Sequence, residues 1–269
     1  MDYGGLMNPE HLLDRIPIWG LFMATVVVTL LAVEGGFRFG RYQHQHREPG
    51  QDAPVGAMVA ATLGLLAFML AFTFGMAGAR FEERKQLVLD EANAIGTAYL
   101  RAQLLPPPHS AEIQTLLREY VDIRVVGATQ KKMLAAALAR SEELHHQLWS
   151  QAVTLSQKSP NSMVVSLFIQ SLNEVIDLHA KRVTAGLQNR IPTIIWIVLY
   201  LLAIMAMIAM GYHSGLASPS RSIVVVFLTM AFSAVIYLTA DLDRPREGLF
   251  RVSQQAMVDL QQSIRERPR

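Results

Sequence analysis

VGAMVAATLGLLAFMLAFTFGMAGARFEERKQLVLDEANAIGTAYLR, residues 55–101, decides the fold. Its first half, Val55 to Ala79, carries no charge. That run is long enough to cross a bilayer, which takes about 20 residues. Arg80-Phe81-Glu82-Glu83-Arg84-Lys85 follows without a proline, and the pattern continues to Tyr99-Leu100-Arg101. The charged half is excluded from lipid, so the stretch reads as one helix that crosses the membrane and projects into water. Unbroken, it would be roughly 70 Å long at ~1.5 Å per residue.

Two stripes run along the apolar half. Gly56, Ala60, Gly64, Ala67, Ala71 and Gly75 recur at three and four residues and share one face. Small residues at that spacing let helix backbones approach closely in lipid. Leu65, Phe68, Phe72 and Met76 fall on an adjoining face at the same spacing. That stripe reads either as packing or as an apolar constriction lining a pore among several copies.

Ala67-Phe68-Met69-Leu70-Ala71-Phe72-Thr73-Phe74, with Arg80 at the membrane exit, resembles the second transmembrane helix of bestrophins. The resemblance implies a pentameric ion channel with a narrow neck, and it puts Phe68 and Phe72 at two neck positions. The third position, one turn earlier, falls on Gly64 or its neighbour Leu65, and a glycine there departs from the family pattern. Arg80 to Arg84, Glu91 to Tyr99 and Asp241-Leu242-Asp243-Arg244-Pro245 resemble a bacterial bestrophin-like family of unknown function over most of the chain.

Outward from that stretch, composition agrees with a membrane protein. Of 269 residues, 51% are hydrophobic and 17% charged, against about 25% charged in soluble domains. The basic residues are dispersed and the net charge is +2, which argues against nucleic-acid binding. With no cysteine, disulfides, iron–sulfur clusters and thiolate chemistry are excluded.

Residues 1–15 lack the positive start of a signal peptide, so the apolar run that follows is expected to be a retained first span, about 16–34, closed by Glu34-Gly35-Gly36. Glu34 reads as a solvated helix end. Phe37 to Pro54 reads as a polar loop, and His44-Gln45-His46 within it lacks the further ligands a metal site needs. The second span is 55–79. Pro106-Pro107-Pro108 stops the long helix, and Ser110 is placed to cap the next one, which runs to Val126. Gly127 separates it from a third amphipathic stretch, Lys131 to Gln157, on which the adjacent His145 and His146 read as surface residues. Ser159-Pro160-Asn161-Ser162 is a turn and cap signal before a further amphipathic helix from Met163 to Arg190. Spans three and four are expected at about 191–211 and 221–240. The tail, 241–269, is amphipathic, with Leu249, Val252, Ala256, Leu260 and Ile264 on one helical face.

The fold class is therefore all-α: four transmembrane helices, with residues 80–190 and the tail forming a cytoplasmic helical bundle. Ten Lys and Arg, Arg15, Arg80, Arg190 and Arg246 among them, flank one side; Arg38, Arg41, Arg47 and Arg221 flank the other. The excess sets both termini in the cytoplasm of a bacterial inner membrane.

No hydrolase, zinc-protease, P-loop or dinucleotide motif is present, so no catalytic residue and no cofactor is expected. Asp241 and Asp243 stand two apart at a membrane exit, where animal bestrophins bind calcium. Two carboxylates are few for a cation that takes about six to eight oxygens. The favoured reading is a salt-bridged helix end pairing with Arg80, Arg84 or Lys85. The functional expectation is a homo-oligomeric ion channel, conducting anions such as chloride by the resemblance; the alternative is a non-conducting sensor or scaffold acting through the bundle.

Overall fold

Apolar runs that exceed bilayer thickness and amphipathic runs with a 3.6-residue period together leave no room for strands. The computed structural model describes residues 17–46, 54–217, 223–244 and 248–266, and every regular element among them is helical. The helices are α1 (Ile18–His46), α2 (Val55–Ala102), α3 (His109–Thr129), α4 (Leu134–Lys158), α5 (Met163–Leu187), α6 (Thr193–Ala217), α7 (Ile223–Asp243) and α8 (Gln255–Glu266), with a 3₁₀ turn over Lys131–Met133. Four of them, α1, α2, α6 and α7, are long and apolar enough to cross a membrane. The expected tail before Ile16, together with Arg15, Arg47, Arg221 and Arg246, lies outside the described residues.

The chain divides into two units. Among the described residues, one comprises those within 17–81 and 190–251 and holds the four apolar segments; the other comprises those within 82–189 and 252–266. Helix α2 contributes residues to both.

In the apolar unit, α1 and α6 run parallel. Thr25 Oγ1 is 2.9 Å from Tyr200 Oη, and further along, Gly36 meets Ile208 and Gly40 meets Tyr212. A Cβ at Gly36 would lie 2.1 Å from the Ile208 carbonyl oxygen, and one at Gly211 would lie 2.1 Å from that of Val33. Gly40 and Gly215 are as tight, at 2.2 and 2.3 Å. Each helix thus carries a glycine pair four residues apart, and each pair accepts the other backbone, the device by which spans associate without a hydrophobic drive. Helix α7 lies antiparallel to α1, with Phe22 stacked edge-on to Tyr237 at 5.5 Å and Thr29 3.4 Å from Ser233. Several hydroxyls in these helices bond back to their own turn, as Thr25 does to Leu21 and Thr239 to Val235, which satisfies them in apolar surroundings.

This packing corrects two boundaries. Gly35-Gly36 does not close α1, and the expected loop from Phe37 is helical to His46, whose Nδ1 lies 2.8 Å from the Tyr42 carbonyl. Likewise α6 continues through Gly211 to Ala217. Glu34 consequently sits inside a helix and pairs with Arg38 at 2.8 Å.

The second unit is a helical bundle around Ile95, Tyr99, Ile113, Leu117, Leu148, Phe168 and Leu172, all essentially inaccessible. Ser162 caps α5 as its turn signal implies, accepting from the Val165 amide at 3.4 Å. Ser110 does not cap α3: that position is Pro108, and the Ser110 hydroxyl donates instead to the Ala102 carbonyl at 2.8 Å. Nor does Gly127 separate helices; it lies within α3, and a Cβ there would be 2.7 Å from the Ala137 Cβ, so it is a close-approach point for α4. The tail helix begins at Gln255, so Leu249 and Val252 precede it. Met257 and Ile264 bury its apolar side, while Gln261 and Arg265 both donate to Asp122 Oδ1, at 2.6 and 2.9 Å.

Candidate functional site

Helix α2 is three-sided over its apolar half. Val59, Leu66, Leu70, Thr73 and Ala77 are buried in its own unit. Gly56, Ala60, Gly64, Ala67, Ala71 and Gly75 are all exposed. Leu65, Phe68 and Phe72 are exposed too, at 52, 67 and 57%, and Met76, on the same stripe, is half-buried. At about 100° per residue the buried, small and bulky faces point roughly 120° apart. A Cβ at Gly64 or Gly75 would meet nothing within 4 Å, whereas one at Gly56 would lie 3.1 Å from His213 Nε2. Thus two of the three faces are largely open among the described residues. No ionisable group lies on them; the polar side chains Thr62 and Thr73 bond to Met58 and Met69 carbonyls of the helix itself.

The charges at the end of this half are held by the apolar unit. Asp243, at the end of α7, accepts from the Ile191 amide at 3.0 Å and lies 3.8 Å from Arg80 and 3.9 Å from Arg190. Asp241 has a different task. Its carboxylate accepts from the Leu249 amide at 3.0 Å on each oxygen and from the Phe250 amide at 3.0 Å. The intervening Gly248 has φ +120°, and a Cβ there would fall 1.6 Å from Asp241 Oδ1, so only glycine fits. The two aspartates therefore serve separate sets of donors. Among the described residues, no group of three or more His, Asp or Glu is arranged to hold a metal ion. Lys85 pairs with Glu82 at 3.1 Å.

The bundle contains a polar cluster that periodicity did not reveal. Glu91, fully buried on α2, accepts from Arg124 Nε at 2.8 Å and Nη2 at 3.1 Å, from Tyr120 at 2.9 Å and from Arg182. Arg182 also donates to Gln254, just before α8. Burial opposes ionisation of Glu91, but the Arg124 and Arg182 guanidiniums outweigh it and hold its carboxyl down at about 2. His179 Nδ1 is 3.1 Å from the Tyr120 hydroxyl, and His145 stacks edge-on to His179 at 4.8 Å. Burial first and the Arg124 charge second pull His145 down to about 4 and His179 to about 3, so both are neutral near pH 7. This corrects His145, expected on the surface; of the adjacent pair only His146 is exposed. One signal was present: Glu91 sits on the stripe of Val88, Ile95 and Ala98, all buried, and interrupts it. The arrangement ties five segments of the bundle together.

Comparison with known proteins adds a family and a fold. A model described as the bestrophin-like domain matches residues 23–257. The chain is similar in structure to a bacterial bestrophin homologue from Klebsiella pneumoniae, with TM-score 0.62 and 14% identity over 91% of this chain and 96% of that one. A point variant of that homologue gives TM-score 0.64 at 14% identity, covering 92 and 97%. A second variant gives 0.62 at 16%, covering 93 and 99%. No curated protein matches the sequence.

Proposed function

Because the chain belongs to the bestrophin-like family, we propose that it is a homo-oligomeric ion channel, a pentamer conducting anions such as chloride, with α2 lining the pore. The observation that carries this reading is the three-sided α2. One face is used by its own protomer. The small-residue face admits a neighbouring copy at close range, and the bulky face is left for the axis. Phe68 and Phe72 then form stacked apolar rings, with Leu65 and Met76 extending them. Gly64 widens the turn where a third ring would stand. Flow is passive and gating proceeds by wetting or side-chain movement at the rings. The excess of Lys and Arg supports a topology with both termini and the bundle in the cytoplasm of a bacterial inner membrane.

The test is ion flux through purified protein in liposomes. Wild type is expected to conduct, and Phe68→Ala/Phe72→Ala to conduct faster or with altered selectivity. If neither protein conducts across ions, pH and calcium while both stay folded and oligomeric, the channel reading falls. The unbroken run of α2 into bundle residues would then favour a non-conducting sensor or scaffold.

A further inference from the structure

The apolar unit holds a cavity of about 300 Å³ between α1, α6 and α7. That volume is at the lower end of small-molecule sites, which run from about 300 to 1,000 Å³. Its walls are hydrocarbon: Leu30, Leu31, Phe37 and Val226. Leu31 and Val226 are exposed, so the cavity opens towards whatever surrounds the helices. Two polar side chains line it, Glu34 and Ser214. Glu34 lies 16 residues beyond Ile18 (34 − 18), about 24 Å along a helix, whereas the hydrocarbon core is about 30 Å thick. A carboxylate at that depth is expensive, and its partner Arg38 is 76% exposed on the next turn. An anionic group and a hydroxyl on the wall of an otherwise apolar slot match an amphiphile with a hydrocarbon chain and a cationic, hydrogen-bond-donating head.

We propose that this cavity binds one aminophospholipid per protomer, its primary ammonium on the Glu34 carboxylate and an acyl chain along Leu30, Leu31 and Val226. The charges are complementary in both parts of the headgroup: Glu34 faces the ammonium, and Arg38 stands one turn away for the phosphate. A primary ammonium donates hydrogen bonds to carboxylate and hydroxyl; the quaternary ammonium of a choline lipid cannot. The site depends on neither conduction nor subunit number, because its three helices belong to one protomer.

The experiment is native mass spectrometry of the full chain released from nanodiscs holding equal phosphatidylethanolamine and phosphatidylcholine with matched acyl chains. Wild type is expected to retain phosphatidylethanolamine at one per protomer with about tenfold preference over phosphatidylcholine. Glu34→Gln should lose most of that preference. Arg38→Gln, which removes the phosphate partner common to both lipids but keeps the carboxylate, should lower retention of both lipids and leave the preference between them in place. Ser214→Leu, which fills the slot, should abolish retention with the helical circular dichroism unchanged. Equal retention of both lipids, or wild-type retention by Glu34→Gln, overturns the proposal. So does loss of oligomer in Ser214→Leu with the lipid count unchanged, because a second copy would then be the occupant.

Discussion

Glu91 shows how a single buried charge organises a bundle. Its two oxygens gather donors from Tyr120, Arg124 and Arg182, on three elements counting its own. Replacing such a group removes the compensation for two guanidiniums, and an unpaired buried charge typically costs about 3–5 kcal/mol. Glu91→Gln is therefore expected to destabilise the bundle by that order, read as a lower denaturation midpoint in detergent. Exposed Glu82→Gln, whose pair with Lys85 is a surface one, should change it by less than about 1 kcal/mol. The cluster was illegible in sequence because its members lie 33 and 91 residues apart, and a charge on an amphipathic helix ordinarily means solvent. His145 was misjudged for the same reason: neighbours on other helices, not its own periodicity, bury it.

Glycine is the residue whose meaning changes most with the element that holds it. In sequence, Gly35-Gly36 and Gly211 look like ends of spans. In the fold they are inside helices, and at Gly36 and Gly211 the missing side chain admits a neighbour's carbonyl. Uninterrupted apolar runs made all four spans legible, but their ends were not, because a glycine that breaks a helix in water need not break one packed in lipid. The glycines of α2 behave differently again, since Gly64 and Gly75 face nothing within the protomer. Two substitutions separate these roles. Gly36→Ala is expected to lower protomer stability by about 1–3 kcal/mol, because backbone must move. Gly64→Ala should leave the melting temperature of the protomer unchanged or slightly raised. Its effect is expected in the oligomer distribution by light scattering and in conductance.

At the scale of the whole chain, composition and span order were readable because lipid imposes them, and the family match over residues 23–257 agrees. A neck and a subunit arrangement, as proposed, would involve copies of the chain, so no property of one protomer displays them. Orientation has a direct test, eased by the absence of native cysteine. Glu174→Cys, exposed on the bundle, is expected to react with an impermeant maleimide only after permeabilisation, whereas Tyr42→Cys should react in intact spheroplasts. The reverse pattern would invert the topology. The parallel pairing of α1 with α6 has a further consequence, for biosynthesis. Gly36 and Ile208 are 172 residues apart (208 − 36). At about 5–20 residues per second, the ribosome needs roughly 9–34 s to deliver the second after the first. For that interval the nascent α1 carries glycine notches with no α6 to fill them, so any insertase that shields α1 acts before its partner has been made.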